Sequence, residues 1–165
     1  MVRIFAAMAV VSLGLAQIAG AAPVGDDILK PASLRLAEAG RVALAQGDAN
    51  TAIDNFEAAL ASDPKNVSAF TGIAASYEKL GLPGKAVKYY REALVLNPSD
   101  LTALEGQGRA YVSRGATARA QVNLARIKAL CKADCSAAIR LQTAIDAPRP
   151  VVADAATKTP PAVKN

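Results

Sequence analysis

Histidine and tryptophan are absent from the 165 residues, and only two cysteines occur, Cys131 and Cys135. Without histidine there is no imidazole for acid–base catalysis or metal ligation, and the Cys-x-x-Cys-His of haem attachment cannot form. Two thiolates four positions apart are too few for a structural zinc site. Their spacing also differs from the Cys-x-x-Cys of redox enzymes. Aromatic residues are scarce, at 4%. Strands favour β-branched and aromatic side chains, so this alanine-rich composition points to closely packed helices. The sequence shows no Gly-rich phosphate loop, nucleophile elbow or metal set. Asp54 and Glu57 stand close on one expected helix, and Asp26 and Asp27 precede the helices, but neither pair has a partner base. The chain reads as non-enzymatic, with no cofactor and no metal. Its length suits one domain.

The first residues, "MVRIFAAMAVVSLGLAQIAGAAPVGDD", have the pattern of an export signal. Arg3 supplies a positive start, Ile4 to Ile18 an apolar stretch, and Ala19-Gly20-Ala21 a small-x-small cleavage site. A membrane anchor is the competing reading. The run is short for a span of about 20 apolar residues, and small residues crowd its end. Cleavage after Ala21 is therefore expected, with export to the periplasm. No cysteine lies near the site, which excludes lipid attachment to a new N-terminal cysteine.

From Ser33 onward a period of 34 residues sets in. Leu36, Phe70 and Leu104 share one slot. Ala39, Ile73 and Gln107 share the next, and Gly40, Ala74 and Gly108 fill a slot that stays small. Ala43, Tyr77 and Tyr111 follow, then Gly47, Gly81 and Gly115. Ala52, Ala86 and Ala120 recur, as do Phe56, Tyr90 and Leu124, and Ala59, Ala93 and Ile127. Pro64 and Pro98 close two copies, and Lys132 replaces the third proline.

Each slot has a mechanical reason. Small residues let a neighbouring helix approach, although glycine costs about 1 kcal/mol against alanine in a helix. Glycine after a helix can turn left-handed and satisfy dangling carbonyls. Proline stops one helix and starts the next unit. The expected helices are 33–46 and 49–62, 67–80 and 83–96, then 101–114 and 117–130. A single pair cannot bury its apolar face, but stacked pairs can. The fold class is all-α, a right-handed α-solenoid of three helix pairs. The copies run 33–66, 67–100 and 101–134, after a loose lead-in at 22–32. A cap helix over 135–147 is expected, starting at Asp134 or Ser136 and stopping before Pro148. Its stripe would be Ala138, Ile139, Leu141, Gln142 and Ile145, although Arg140 and Gln142 would lie outward. Residues 148–165, with four prolines and little bulk, read as a disordered tail.

This pattern resembles the tetratricopeptide repeat family, whose signature is W-x2-L-G-x2-Y…A-x3-F…P over 34 residues. The second copy matches with Phe70, Ile73, Ala74, Tyr77, Ala86, Tyr90 and Pro98. The first matches with Leu36, Ala39, Gly40, Ala52, Phe56 and Pro64. The third keeps Leu104, Gly108, Tyr111 and Ala120 but departs at Gln107, Leu124 and Lys132. The resemblance implies a protein or peptide partner lying against the first helix of each pair. The positions so implied include Arg41 and Leu44, then Glu78 and Lys79, then Glu105 and Arg109. Arg41 and Arg109 would be the notable donors, since arginine can fork onto a carboxylate. Family members that clamp the C-terminal carboxylate of cytosolic chaperones use lysine and asparagine at positions that here hold Ala37, Arg41, Gly72, Thr102 and Gly106. That clamp is absent.

Charge is unevenly spread. Residues 22–78 hold four basic and eight acidic groups, whereas residues 79–140 hold eleven basic and four acidic. Arg114, Arg119, Arg126 and Lys128 form a basic flank that suits an acidic partner, or weak contact with an anionic membrane surface. Self-association, acidic half on basic half, is the structural alternative to an adaptor. Nucleic acid is not expected, because no aromatic platform accompanies the charge. Cys131 and Cys135 have three readings: a disulfide fixing the cap helix, two buried thiols, or a redox pair. An oxidising compartment favours the first. The function expected is a non-catalytic adaptor of the cell envelope, for example in assembly of a pilus or secretion apparatus.

Overall fold

The computed structural model describes residues 28–131 and 135–147. The expected signal peptide, the first part of the lead-in, Lys132, Asp134 and the tail lie outside the described residues. Among the described residues seven helices follow one another: α1 (Pro31–Ala45), α2 (Ala49–Ser62), α3 (Val67–Lys79), α4 (Pro83–Leu96), α5 (Leu101–Ser113), α6 (Thr117–Leu130) and α7 (Ser136–Asp146). The described residues contain no strand.

Local chemistry marks the helix ends. The Asp48, Asn66 and Asp100 side chains accept from the backbone N–H groups of Thr51, Ala69 and Ala103, at 3.0, 3.2 and 2.7 Å. Each satisfies a donor left over in the first helical turn. Pro83 opens α4 and Pro31 opens α1. The first helix therefore starts two residues before Ser33, because a proline with no N–H is well placed at that position. Gly47, Gly81 and Gly115 adopt φ of 89°, 71° and 74°. These left-handed glycines reverse the chain between the two helices of each pair.

The helices pack as antiparallel pairs, α1 with α2, α3 with α4 and α5 with α6, stacked so that α2 meets α3 and α4 meets α5. The alanine slots are the reason they come so close. Ala52, Ala59, Ala86, Ala93 and Ala120 are fully buried. Phe56, Tyr90 and Leu124 fill the remaining space, one per pair. Burying such a side chain contributes about 1.5–3 kcal/mol. Gly40 is small for a definite cause, since a methyl group there would stand 2.8 Å from the Phe56 ring.

First helices also touch across pairs, α1 with α3, α3 with α5 and α5 with α7. They form the inner wall of a solenoid. The cap α7 packs on both α5 and α6. It takes the place that the first helix of a fourth pair would take. The 34-residue offset runs on into it: Leu141 follows Gln107, and Arg140 follows Gly106.

The face that α7 buries corrects the sequence expectation. Ala137, Ala138 and Leu141 are buried, Ile145 packs beside them, and Ile139 is 65% exposed. The helix starts at Ser136, with Cys135 in the capping position and no side-chain hydrogen bond there. Cys131 and Cys135 are joined as a disulfide at the junction of α6 and α7, Cα atoms 5.7 Å apart.

Two polar clusters sit inside the apolar packing. Asn66 Nδ2 donates to Ser33 Oγ at 2.8 Å, and Ser33 Oγ donates to the Ala59 carbonyl at 2.8 Å. Asn123 Nδ2 donates to Gln107 Oε1 at 3.0 Å and to the Leu104 carbonyl at 3.1 Å. The departure at Gln107 thus has a partner, Asn123, which the sequence pattern did not single out. Among the described residues no buried side-chain nitrogen or oxygen lacks a hydrogen bond.

Candidate partner-binding groove

The inner wall encloses an open groove of about 970 Å³. Its apolar part is lined by Leu44 of α1, Phe56 of α2, Gly72 and Ala75 of α3 and Tyr90 of α4. Phe56 and Tyr90 reach it because their rings lie against glycines. A methyl at Gly72 would overlap the Phe56 ring, and one at Gly106 would overlap the Tyr90 ring. Ser68, Thr71 and Thr102 add hydroxyls to the same wall.

Its charged part is a connected ladder. The Tyr90 hydroxyl donates to Glu78 Oε2 at 2.6 Å. Arg109 Nη2 donates to the same oxygen at 3.3 Å, and Arg109 Nη1 donates to Glu105 Oε1 at 2.6 Å. Arg140 then forks onto Glu105, Nε to Oε1 at 2.9 Å and Nη2 to Oε2 at 2.6 Å. Glu105 is the buried centre, its side chain 5% exposed, against 42% for Arg109 and 58% for Arg140.

Electrostatics follow from this ladder. Burial, and then the Glu78 carboxylate, push the Tyr90 phenol far above its ordinary value. Burial works against the charge on Arg109, but Glu78, Tyr90 and Glu105 outweigh it and raise the guanidinium pKa. Hydrogen bonds to Glu105 raise Arg140 likewise.

The residues expected to face a partner fall into separate places. Arg41, Leu44, Glu105 and Arg109 line the groove. Glu78 stands just behind Arg109, and Lys79 is an exposed residue at the end of α3, outside the groove lining. Arg41 is exposed and pairs with Glu38 one turn back. Neither expected donor is therefore vacant. Arg140, expected to point outward, instead reaches into the groove, because Glu105 offers it a buried carboxylate. Gln142, expected to lie outward too, is half-buried and bonds to Asp146 and Lys128. Continuing the 34-residue offset from Gly72 through Gly106 would have led to Arg140.

The basic flank is partly engaged within the chain. Arg119 lies over the Tyr111 ring at 5.7 Å. Arg126 Nη2 donates to the Pro98 carbonyl at 2.8 Å, and Lys128 Nζ to Gln142 Oε1 at 3.3 Å. Arg114 is exposed after α5. Among the described residues no group of three or more His, Cys, Asp or Glu side chains could hold a metal ion.

The tetratricopeptide repeat family model matches residues 37–100 and 71–126. The chain belongs to the tetratricopeptide repeat family. Its groove is the inner face of three such repeats closed by a cap helix. No curated protein matches the chain. Among solved structures it is similar to the first tetratricopeptide domain of Spaghetti (RPAP3) bound to the HSP90 peptide SRMEEVD. That likeness has 25% identity and a TM-score of 0.65, over 71% of this chain and 95% of that one. The first tetratricopeptide domain of human RPAP3 is 26% identical with a TM-score of 0.64, over 68% and 89% of the two chains. The Sgt2 tetratricopeptide domain from Aspergillus fumigatus is also 26% identical with a TM-score of 0.64, over 78% and 93%.

Proposed function

We infer that this protein is a non-catalytic adaptor that holds an extended segment of a partner polypeptide in its groove. One observation carries the reading: α1, α3, α5 and α7, with Phe56 of α2 and Tyr90 of α4, line a single open channel of about 970 Å³ that mixes apolar floor and polar edges. Such concave walls are the binding surfaces of stacked repeats. The likeness to a domain solved with a peptide supports the same use. The side chains there bond to one another and leave no acid, base and nucleophile arranged for a reaction.

The reading extends to place. Residues 1–21 have the make-up of a cleaved export signal. The adaptor would then work in the periplasm, in assembly of an envelope structure such as a pilus or secretion apparatus.

A crosslinked pull-down from the envelope fraction tests both parts. The full chain is compared with Thr71→Arg, which fills the groove from a half-buried position outside the core. A partner recovered with the first and lost with the second supports groove docking. The same partners with both would overturn it. N-terminal sequencing of the recovered protein should start at Ala22, and a start at Met1 would remove the export reading.

A further inference from the structure

We propose that Glu105 stands in for a ligand carboxylate, so that the α5–α7 end of the groove takes a carboxylate-free segment and turns an acidic one away. The proposal rests on the adaptor reading above and names the chemistry of the partner.

The two oxygens of Glu105 accept three charged N–H groups, one from Arg109 and two from Arg140. This is the forked arrangement by which arginines receive a carboxylate. Here the carboxylate is supplied by the wall itself. An incoming acidic side chain would have to displace it. Glu105 is 5% exposed, and a buried charge stripped of its partners is strongly unfavourable. Charge balance points the same way. Glu78 and Glu105 cancel Arg109 and Arg140, so the ladder has no net field to draw an anion. Asp100, just before α5, adds negative charge at this end, while the other cations of the lining, Arg41 and Lys65, stand on α1 and before α3.

The outer edges of Arg109 and Arg140 remain open to solvent, at 42% and 58%. They can donate to neutral acceptors, such as the backbone carbonyls or side-chain amides of an extended chain. Alongside them, Leu44, Phe56, Ala75 and Tyr90 offer room for small or apolar side chains. The segment that fits is extended and free of carboxylates.

Fluorescence anisotropy with labelled SRMEEVD as an acidic probe tests this on the full chain. The natural protein should bind it at most weakly. Glu105→Gln leaves the ladder with one excess positive charge and should bind at least about tenfold more tightly. That gain should weaken with added salt and vanish in Glu105→Gln/Arg140→Gln. Glu78→Gln, at a less buried carboxylate, guards against misfolding of the first variant and should show a smaller gain. Binding by the natural protein as tight as by Glu105→Gln would overturn the proposal. So would the absence of any gain in a folded Glu105→Gln or Glu78→Gln, or a gain that survives Arg140→Gln. If the pull-down partner is still lost with Thr71→Arg, such a result removes this charge assignment alone. A partner indifferent to Thr71→Arg removes the adaptor reading itself.

Discussion

Glu105 and Arg140 are 35 positions apart and meet in a two-point ion pair that ties the last helix to the floor of the groove. Arg140→Ala should loosen α7 while leaving the three helix pairs folded. Amide exchange across Ser136–Asp146 is expected to speed up on the order of tenfold, with little change in α3. Arg140→Lys should fall between, since an ammonium cannot reproduce the fork. Uniform loss of protection along the chain would contradict this picture.

Two glycines should respond to alanine in opposite ways. At Gly106 the new methyl meets the buried Tyr90 ring, so Gly106→Ala is expected to destabilise by about 1–3 kcal/mol. At Gly84, in the first turn of α4, nothing lies within 4 Å of the added carbon. Gly84→Ala should stabilise by about 0.4–1 kcal/mol through the unfolded chain. Urea titrations of the two variants side by side would check the contrast.

The Tyr90–Glu78 pair predicts an alkaline limit. The folded phenol pKa lies above the ordinary 10.0, so the folded state keeps its proton when the unfolded state gives it up. Stability is full below pH 10 and falls as pH rises beyond it, by at most about 1.4 kcal/mol per pH unit for one group. Tyr90→Phe should flatten this fall and lower stability near neutrality by about 1 kcal/mol, for the lost hydrogen bond. On the acid side, backbone N–H groups of Lys30 and Lys65 lower the Asp63 carboxyl. Its contribution is present above the ordinary 3.8 and is lost as pH falls through the lowered value. Chemical denaturation across pH would read both edges.

The buried amide pair is suited to a double-mutant cycle. Gln107→Ile restores the residue type of the second copy but leaves one of the two N–H groups of Asn123 Nδ2 without its acceptor, and should cost about 1–3 kcal/mol. Asn123→Leu should cost a similar amount by leaving Gln107 Oε1 without its donor. The double variant should recover most of both losses, because two apolar groups can replace a bonded pair. Additive losses from thermal melts would show that the pair does not act as a unit.

The helices were legible in the sequence because close approach repeats its demands every 34 residues. Ala52, Ala86 and Ala120 must be small and Phe56, Tyr90 and Leu124 large, so those slots announce themselves. The ladder was not legible in the same way. Whether Arg109 meets Glu105 one turn back, Glu78 on α3 or a ligand depends on side-chain reach, which periodicity does not encode. Arg140 was misplaced because its helix was read by its own apolar stripe. Ile139 looked like the buried residue, but contact with both α5 and α6 turns Leu141 inward and brings Arg140 to the groove.

The slot occupied by Gly72 and Gly106 holds Glu38 in α1 and Arg140 in α7. At the two glycines it admits an aromatic ring from the neighbouring helix, at α1 it carries an anion and at α7 a cation. The two ends of the row thus carry opposite charges, and a segment lying along it passes two rings between an anionic and a cationic end.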